Sequence, residues 1–297
     1  MKKKLGSDPT NCKQQKAKLK RAIREGMGAL EPPKAGYMAR LLIQATMPHS
    51  KPKDLVHVRR NGNLTLEMIG HPRFGLPYGV YPRLLLFHVA TEIVRTKSAT
   101  VDLGGTISEF LRRLGLGRRG GPRGSITTLK DQAERLFRSS LIWTYERKDQ
   151  GIAWEKPIYL VDERVLWWDP LKPAERSALD ARVTLHPLLV AEILAHPIPL
   201  EVATIRELAR LHGPFALDIY GWFAQRLFTL KEALDLTWQQ IQPQFGCTYT
   251  TLKNFAAAFL YNMRIVRRFY PAARIVEAPG GLTLWPSPPH VLPIALR

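Results

Sequence analysis

The stretch TISEFLRRLGLGRRGGPRGSITTLKDQAERLF, residues 106–137, decides how the rest of the chain is read. Thr106 precedes the first apolar residue and Glu109 follows three positions later, the pattern of a capping box. Ile107, Phe110, Leu111 and Leu114 recur at i, i+3, i+4 and i+7, which places them on one face of a short helix that Gly115 stops. After a loop over 116–124, Ser125 stands where it can cap a further helix. Ile126, Leu129, Ala133, Leu136 and Phe137 form that helix's apolar face, and Thr127, Thr128, Lys130, Arg135 and Arg138 its outer one. From Phe110 to Lys130 the chain carries Arg112, Arg113, Arg118, Arg119 and Arg123 and no acid. A basic window beside an outward helix face is where phosphate contacts are sought first.

Upstream, Leu85, Val89 and Ile93 with Leu86 and Ala90 predict a helix over 81–96, opened by Pro82. A short strand over 100–103 joins it to Thr106. Downstream, the alternation over 141–147, the turn at Asp149-Gln150-Gly151 and the apolar run over 156–168 predict a β-ribbon. Three helices followed by a ribbon is the winged-helix order. Before this unit, Asn63-Leu64-Thr65-Leu66-Glu67-Met68-Ile69 alternates as a strand after Asn61-Gly62, with no place assigned to it in the fold.

The Pro-rich, charged stretch 170–180 reads as a boundary. Beyond it a similar order returns. Short helical pieces over 188–195 and 202–211 flank a break at His196-Pro197-Ile198-Pro199. Pro214 opens a stronger helix with Phe215, Ile219, Trp222, Phe223 and Leu227 on one face. Thr237 caps a short helix that Gly246 ends and that Pro243 should kink or delay. A long helix over 250–268 buries Leu252, Phe255, Phe259 and Met263, and a hairpin over 274–285 makes a second wing. The expected fold is α+β: two tandem winged-helix domains behind a basic, disordered N-terminal arm. The parts are an arm over 1–36, a first domain over 37–170, a linker over 171–180, a second domain over 181–290 and a tail over 291–297.

The formal net charge is +19, and it is uneven: residues 1–60 hold 15 Lys and Arg against 4 Asp and Glu. An excess of this size favours a polyanion partner through counterion release, and these first 60 residues, the arm included, supply most of it. Cys12 and Cys247 stand far apart without CxxC spacing, which signals neither disulfide nor zinc site and fits a reducing cytoplasm. No apolar run is long enough for a membrane span, and the lysines that follow Lys2-Lys3-Lys4 do not read as a signal peptide. There is no GxxxxGK[ST], no HExxH and no His-apolar-His motif. His57-Val58-Arg59-Arg60 has the HxxR spacing of tyrosine recombinases without the accompanying constellation. No catalytic residue, metal or cofactor is therefore expected.

The candidate DNA contacts are the outward residues of the third helix in each unit. In the first they are Thr127, Thr128, Lys130 and Arg135, with Arg118, Arg119 and Arg123 in the preceding loop. In the second they are Thr250, Thr251, Lys253, Asn254 and Arg264, with Arg267, Arg268 and Arg274 toward the wing. Asn and Arg are the side chains that can read adenine and guanine bidentately, so Asn254 is a sharper candidate than Thr250. Trp222, Trp238, Phe255 and Phe259 fall on inward faces and read as core.

Several segments, taken in order, resemble the RepA-type plasmid replication initiators. They are Pro77-Tyr78-Gly79 with Pro82-Arg83-Leu84-Leu85-Leu86, Arg95-Thr96-Lys97-Ser98, Ser108-Glu109-Phe110-Leu111-Arg112-Arg113-Leu114-Gly115-Leu116, and Trp167-Trp168-Asp169-Pro170. Ala216-Leu217-Asp218-Ile219-Tyr220-Gly221-Trp222 and Gln244-Phe245-Gly246 continue the series. The resemblance implies tandem winged-helix domains that bind repeated double-stranded sites, iterons, at a plasmid origin. It also implies duplex opening and recruitment of a host replication initiator and the replicative helicase; a homodimer is a candidate partner state beside these. A winged-helix transcriptional repressor and an origin-nicking enzyme are the other readings of the same residues.

Overall fold

The computed structural model describes residues 35–44, 46–117, 121, 124–147, 150–167, 181–245 and 249–291. The expected arm to residue 34, Arg118, Arg119, Arg123, Trp168, the linker 171–180, Gly246 and the tail beyond Val291 lie outside them. The fold is α+β, helices with antiparallel sheets. Strand β1 (Ala35–Ala39) and the short helix α1 (Arg40–Gln44) precede a hairpin of β2 (Val56–Asn61) and β3 (Leu64–Ile69). Then come α2 (Val80–Thr96), β4 (Thr100–Gly104), α3 (Ile107–Arg113) and α4 (Ser125–Phe137). They are followed by β5 (Ser140–Arg147), β6 (Ile152–Tyr159) and β7 (Val161–Val165).

The C-terminal half runs β8 (Ala181–Leu185), α5 (Pro187–Ala195), β9 (Pro197–Glu201), α6 (Val202–Leu211) and α7 (Pro214–Thr229). It ends with β10 (Leu234–Thr237), α8 (Trp238–Phe245), α9 (Leu252–Phe269), β11 (Ile275–Ala278) and β12 (Gly281–Leu284). Pro243 lies inside α8, which starts at Trp238 directly after Thr237.

Local chemistry sets several boundaries. Thr106 caps α3, its hydroxyl oxygen accepting from Glu109 N–H at 3.2 Å. The capping box stays half made, because the Glu109 carboxylate turns to Arg113 at 2.8 Å. Ser125 is not the cap of α4. Gly124 holds that position, while the Ser125 hydroxyl donates to the Gly117 carbonyl at 2.7 Å and so ties the loop's entry to the helix.

The β5–β6 hairpin runs from Ser140↔Tyr159 to Arg147↔Ile152, and the 64–69 strand joins it. The sheet order is β2-β3-β5-β6. The apolar run expected as one strand over 156–168 divides at Leu160, which is buried and bends the chain out of this sheet. β7 then enters a second sheet of order β4-β8-β7. Trp167 is buried beside that sheet, with its indole N–H donating to the Gly104 carbonyl at 2.7 Å.

Elements from either side of residues 171–180 share sheets. β8 lies between β4 and β7, and β1 pairs with β9 from Ala35↔Glu201 to Ala39↔Pro197. The expected break at 196–199 is thus a strand. Among the described residues β9 pairs only with β1, so Pro197 and Pro199 can face the edge where no ladder bond is required. Gly36 lets β1 press against α2, since a Cβ there would lie 2.2 Å from the Phe87 ring.

A buried ion pair fastens α2 to α7. Arg83 donates from Nε and Nη2 to the two Asp218 oxygens at 2.6 Å each, and its remaining N–H groups reach the carbonyls of Met47, Pro48 and Gly79. His49 Nε2 closes on Asp218 at 2.9 Å. Desolvation alone would raise the Asp218 pKa, but Arg83 and His49 outweigh it and hold the carboxyl below its usual range. The apolar core is continuous through both halves, from Phe110, Leu129 and Leu136 to Trp222, Phe245 and Phe259.

Candidate nucleic-acid interface

Helix α9 divides cleanly into two faces. Phe255, Phe259, Met263 and Val266 are fully buried against α7 and α8. The spacing that buries them leaves Lys253, Asn254, Ala257, Tyr261, Arg264, Arg267 and Arg268 exposed. No acidic residue occurs in the helix. Thr251 caps it, its hydroxyl oxygen accepting from Asn254 N–H at 3.2 Å. That bond places Lys253 and Asn254 in the first turn, at the positive end of the helix dipole. Thr250 is exposed one residue earlier.

The β11–β12 hairpin flanks this helix, with β12 between β10 and β11. Arg264 reaches Glu277 of β11 at 3.1 Å, an exposed pair that salt and solvent screen. The Arg274 guanidinium sits 5.5 Å from the ring centre of Trp285, which is 40% exposed. The structure therefore brings Lys253, Asn254, Arg264, Arg267 and Arg268 onto one helix, with Arg274 on the adjoining ribbon.

The first half arranges its candidates differently. Thr127 is exposed but donates to the Gly121 carbonyl at 2.9 Å. Thr128 donates to Gly124, and Lys130 is half-buried. Arg135 turns inward: its side chain is only 13% exposed, bonds Asp131 at 2.8 Å and lies over the Tyr78 ring at 5.5 Å. Helical periodicity places Arg135 on the outer face, but the i, i+4 carboxylate and the aromatic ring give it an inward position. Arg206, absent from the sequence candidates, lies along α6 and donates to the Arg113 carbonyl at 2.8 Å.

Among the described residues no group of three His, Cys, Asp or Glu is placed to hold a metal, and no helix is long and apolar enough to cross a membrane. Residues 76–240 match the family model described as plasmid encoded RepA protein. The chain belongs to this RepA family. The matched span covers more than half of the chain, from the approach to α2 to the first turn of α8, and it includes both Arg83 and Asp218. The family is one of plasmid replication initiators. No curated protein matches this RepA-family chain. Among solved structures, one similar chain is the crystal structure of selenomethionine derivatives of domains 2 and 3 of RctB. It is 11% identical with a TM-score of 0.49, covering 82% of this chain and 95% of that one.

Proposed function

We propose that the protein binds repeated sites in double-stranded DNA at a plasmid origin through two winged-helix units, 80–159 and 202–284. In this reading α9 enters the major groove. Lys253 and Asn254 meet base edges, while Arg264, Arg267, Arg268 and Arg274 hold phosphates. The observation that carries the proposal is the exposed, acid-free face of α9 opposite a fully buried aromatic one. In the first unit α4 takes the corresponding place, with Thr127, Thr128 and Lys130 near the DNA and Arg118, Arg119 and Arg123 on its phosphates.

The protein acts by binding, in the cytoplasm and on DNA, without breaking a strand. Family membership supports an initiator over a repressor, so iteron binding, duplex opening and recruitment of host initiator and helicase are assigned to it.

Footprinting on the parent plasmid tests this: regularly repeated protected sites are expected, whereas a single operator or a cut strand would refute it. In the same assay Asn254→Ala should lose about 1–3 kcal/mol of discrimination between specific and random duplex. Deleting residues 2–24 should weaken binding to all duplexes alike and flatten its salt dependence. Equal loss of specific and random binding in Asn254→Ala would remove that residue from readout.

A further inference from the structure

The β5–β6 hairpin carries a feature that the duplex-binding face does not use. Toward the hairpin's turn, the side of the sheet that elsewhere faces the core bears Trp143, Tyr145 and Trp154. Trp154 lies opposite Tyr145 in the register, and their rings stack with centroids 5.7 Å apart and planes 23° apart. Trp143 meets Trp154 edge-on at 5.6 Å, and Lys156 Nζ lies 5.3 Å from the Trp154 ring centre. The Trp154 side chain is 38% exposed, although core contact would hide a tryptophan more completely.

These rings form one wall of an open cleft of about 390 Å³, whose other boundaries include Arg226 in the last turn of α7 and the amides of Gln44 and Asn61. Arg226 is half-buried, and its Nε is buried with no hydrogen-bond partner among the described residues. Among the described residues no carboxylate forms an ion pair with it, and desolvation lowers its pKa. The indole N–H of Trp143 is likewise buried and unpartnered.

A half-buried guanidinium with an unsatisfied Nε favours an anion, most of all a phosphate that its planar fork can grip. Stacked aromatic rings beside it favour a flat heterocycle, and neutral amides suit a heterocycle's polar edge. A base inside a duplex hides its faces in the stack, so the ligand has to be unstacked. The cleft is open, which lets a backbone enter and leave, unlike the enclosed pockets that hold small molecules.

We propose that this cleft binds a nucleobase and its phosphate from a single DNA strand, with Trp154 as the stacking surface and Arg226 as the phosphate partner. The site is separate from α9 and does not rest on the duplex-binding proposal.

The test uses the full chain, a labelled oligodeoxythymidine roughly 12 nucleotides long and a labelled duplex in parallel. Trp154→Ala and Arg226→Gln should each weaken single-strand binding roughly tenfold, with Trp154→Phe keeping most of the affinity. Arg226→Gln should also lower the salt slope by about 0.7, while duplex affinity and melting temperature stay unchanged. Wild-type single-strand affinity in both variants would overturn the proposal. So would equal loss of single-strand and duplex binding with a lowered melting temperature, which marks a structural role. Deoxythymidine monophosphate binding as tightly as the oligomer would overturn the assignment to a strand. Absence of duplex binding would count against α9 alone.

Discussion

Asp218 is the residue on which most converges. It is nearly buried, and its two oxygens satisfy Arg83 and His49, so neither Arg83 nor the carbonyls of residues 47, 48 and 79 would keep their geometry without it. Asp218→Asn leaves a buried guanidinium without its counter-ion, which costs about 3–5 kcal/mol in such settings. Urea unfolding should show that loss as a lower midpoint, and an unchanged midpoint would mean that Arg83 finds another partner.

Histidines make a second residue-scale prediction. His57 is buried and donates from Nε2 to the Thr46 carbonyl, and burial followed by the nearby Arg59 charge lowers its pKa from 6.5 to about 3. The folded protein keeps the ring neutral down to about pH 3, whereas the unfolded chain protonates near pH 6.5. His57 therefore contributes full stability above pH 6.5 and loses it as the solution is acidified toward pH 3. The slope is about 1.4 kcal/mol per pH unit for each such group. His57→Gln should flatten the dependence of stability on pH by roughly one proton.

Among the elements, the start of α9 separates two roles for one threonine. Thr251 stands among the outward residues expected to meet DNA, yet its oxygen holds the first turn of the helix. Thr251→Ala should lower stability by about 1 kcal/mol, and Thr251→Ser should restore it, as read by thermal melting. A variant that melts normally but binds duplex poorly would make Thr251 a contact residue instead. Periodicity made α2, α3, α6, α7 and α9 legible because each sets an apolar face against the core within its own sequence.

Pairings between distant segments left no such trace. Pro197-Ile198-Pro199 reads as a break because the strand it forms is defined by Ala35–Ala39, far upstream. The run over 156–168 does not reveal that Leu160 redirects it into a second sheet. Of the candidate contacts, those on α9 follow directly from the buried face beneath them. Arg135 does not, since Asp131 and Tyr78 set its direction. The Trp154 cleft escaped because its parts come from α1, β2, β5, β6 and α7, which only the fold assembles.

At the scale of the molecule, the described residues from Ala35 to Val291 group as one compact unit. The shared sheets and the Arg83–Asp218 pair give the two halves a common core. Denaturant unfolding should accordingly report the same midpoint from probes in either half, for instance a label near Trp154 and another near Trp238. Two separated midpoints would show that the halves stand independently.

The β1–β9 ribbon has a further consequence for how the protein is made. Ala35 pairs with Glu201, so the first of the described strands lacks this partner until more than half of the chain has left the ribosome. At about 5–20 residues per second that interval lasts on the order of ten seconds or more. Throughout it, the strand edge of residues 35–39 stays open to other nascent chains.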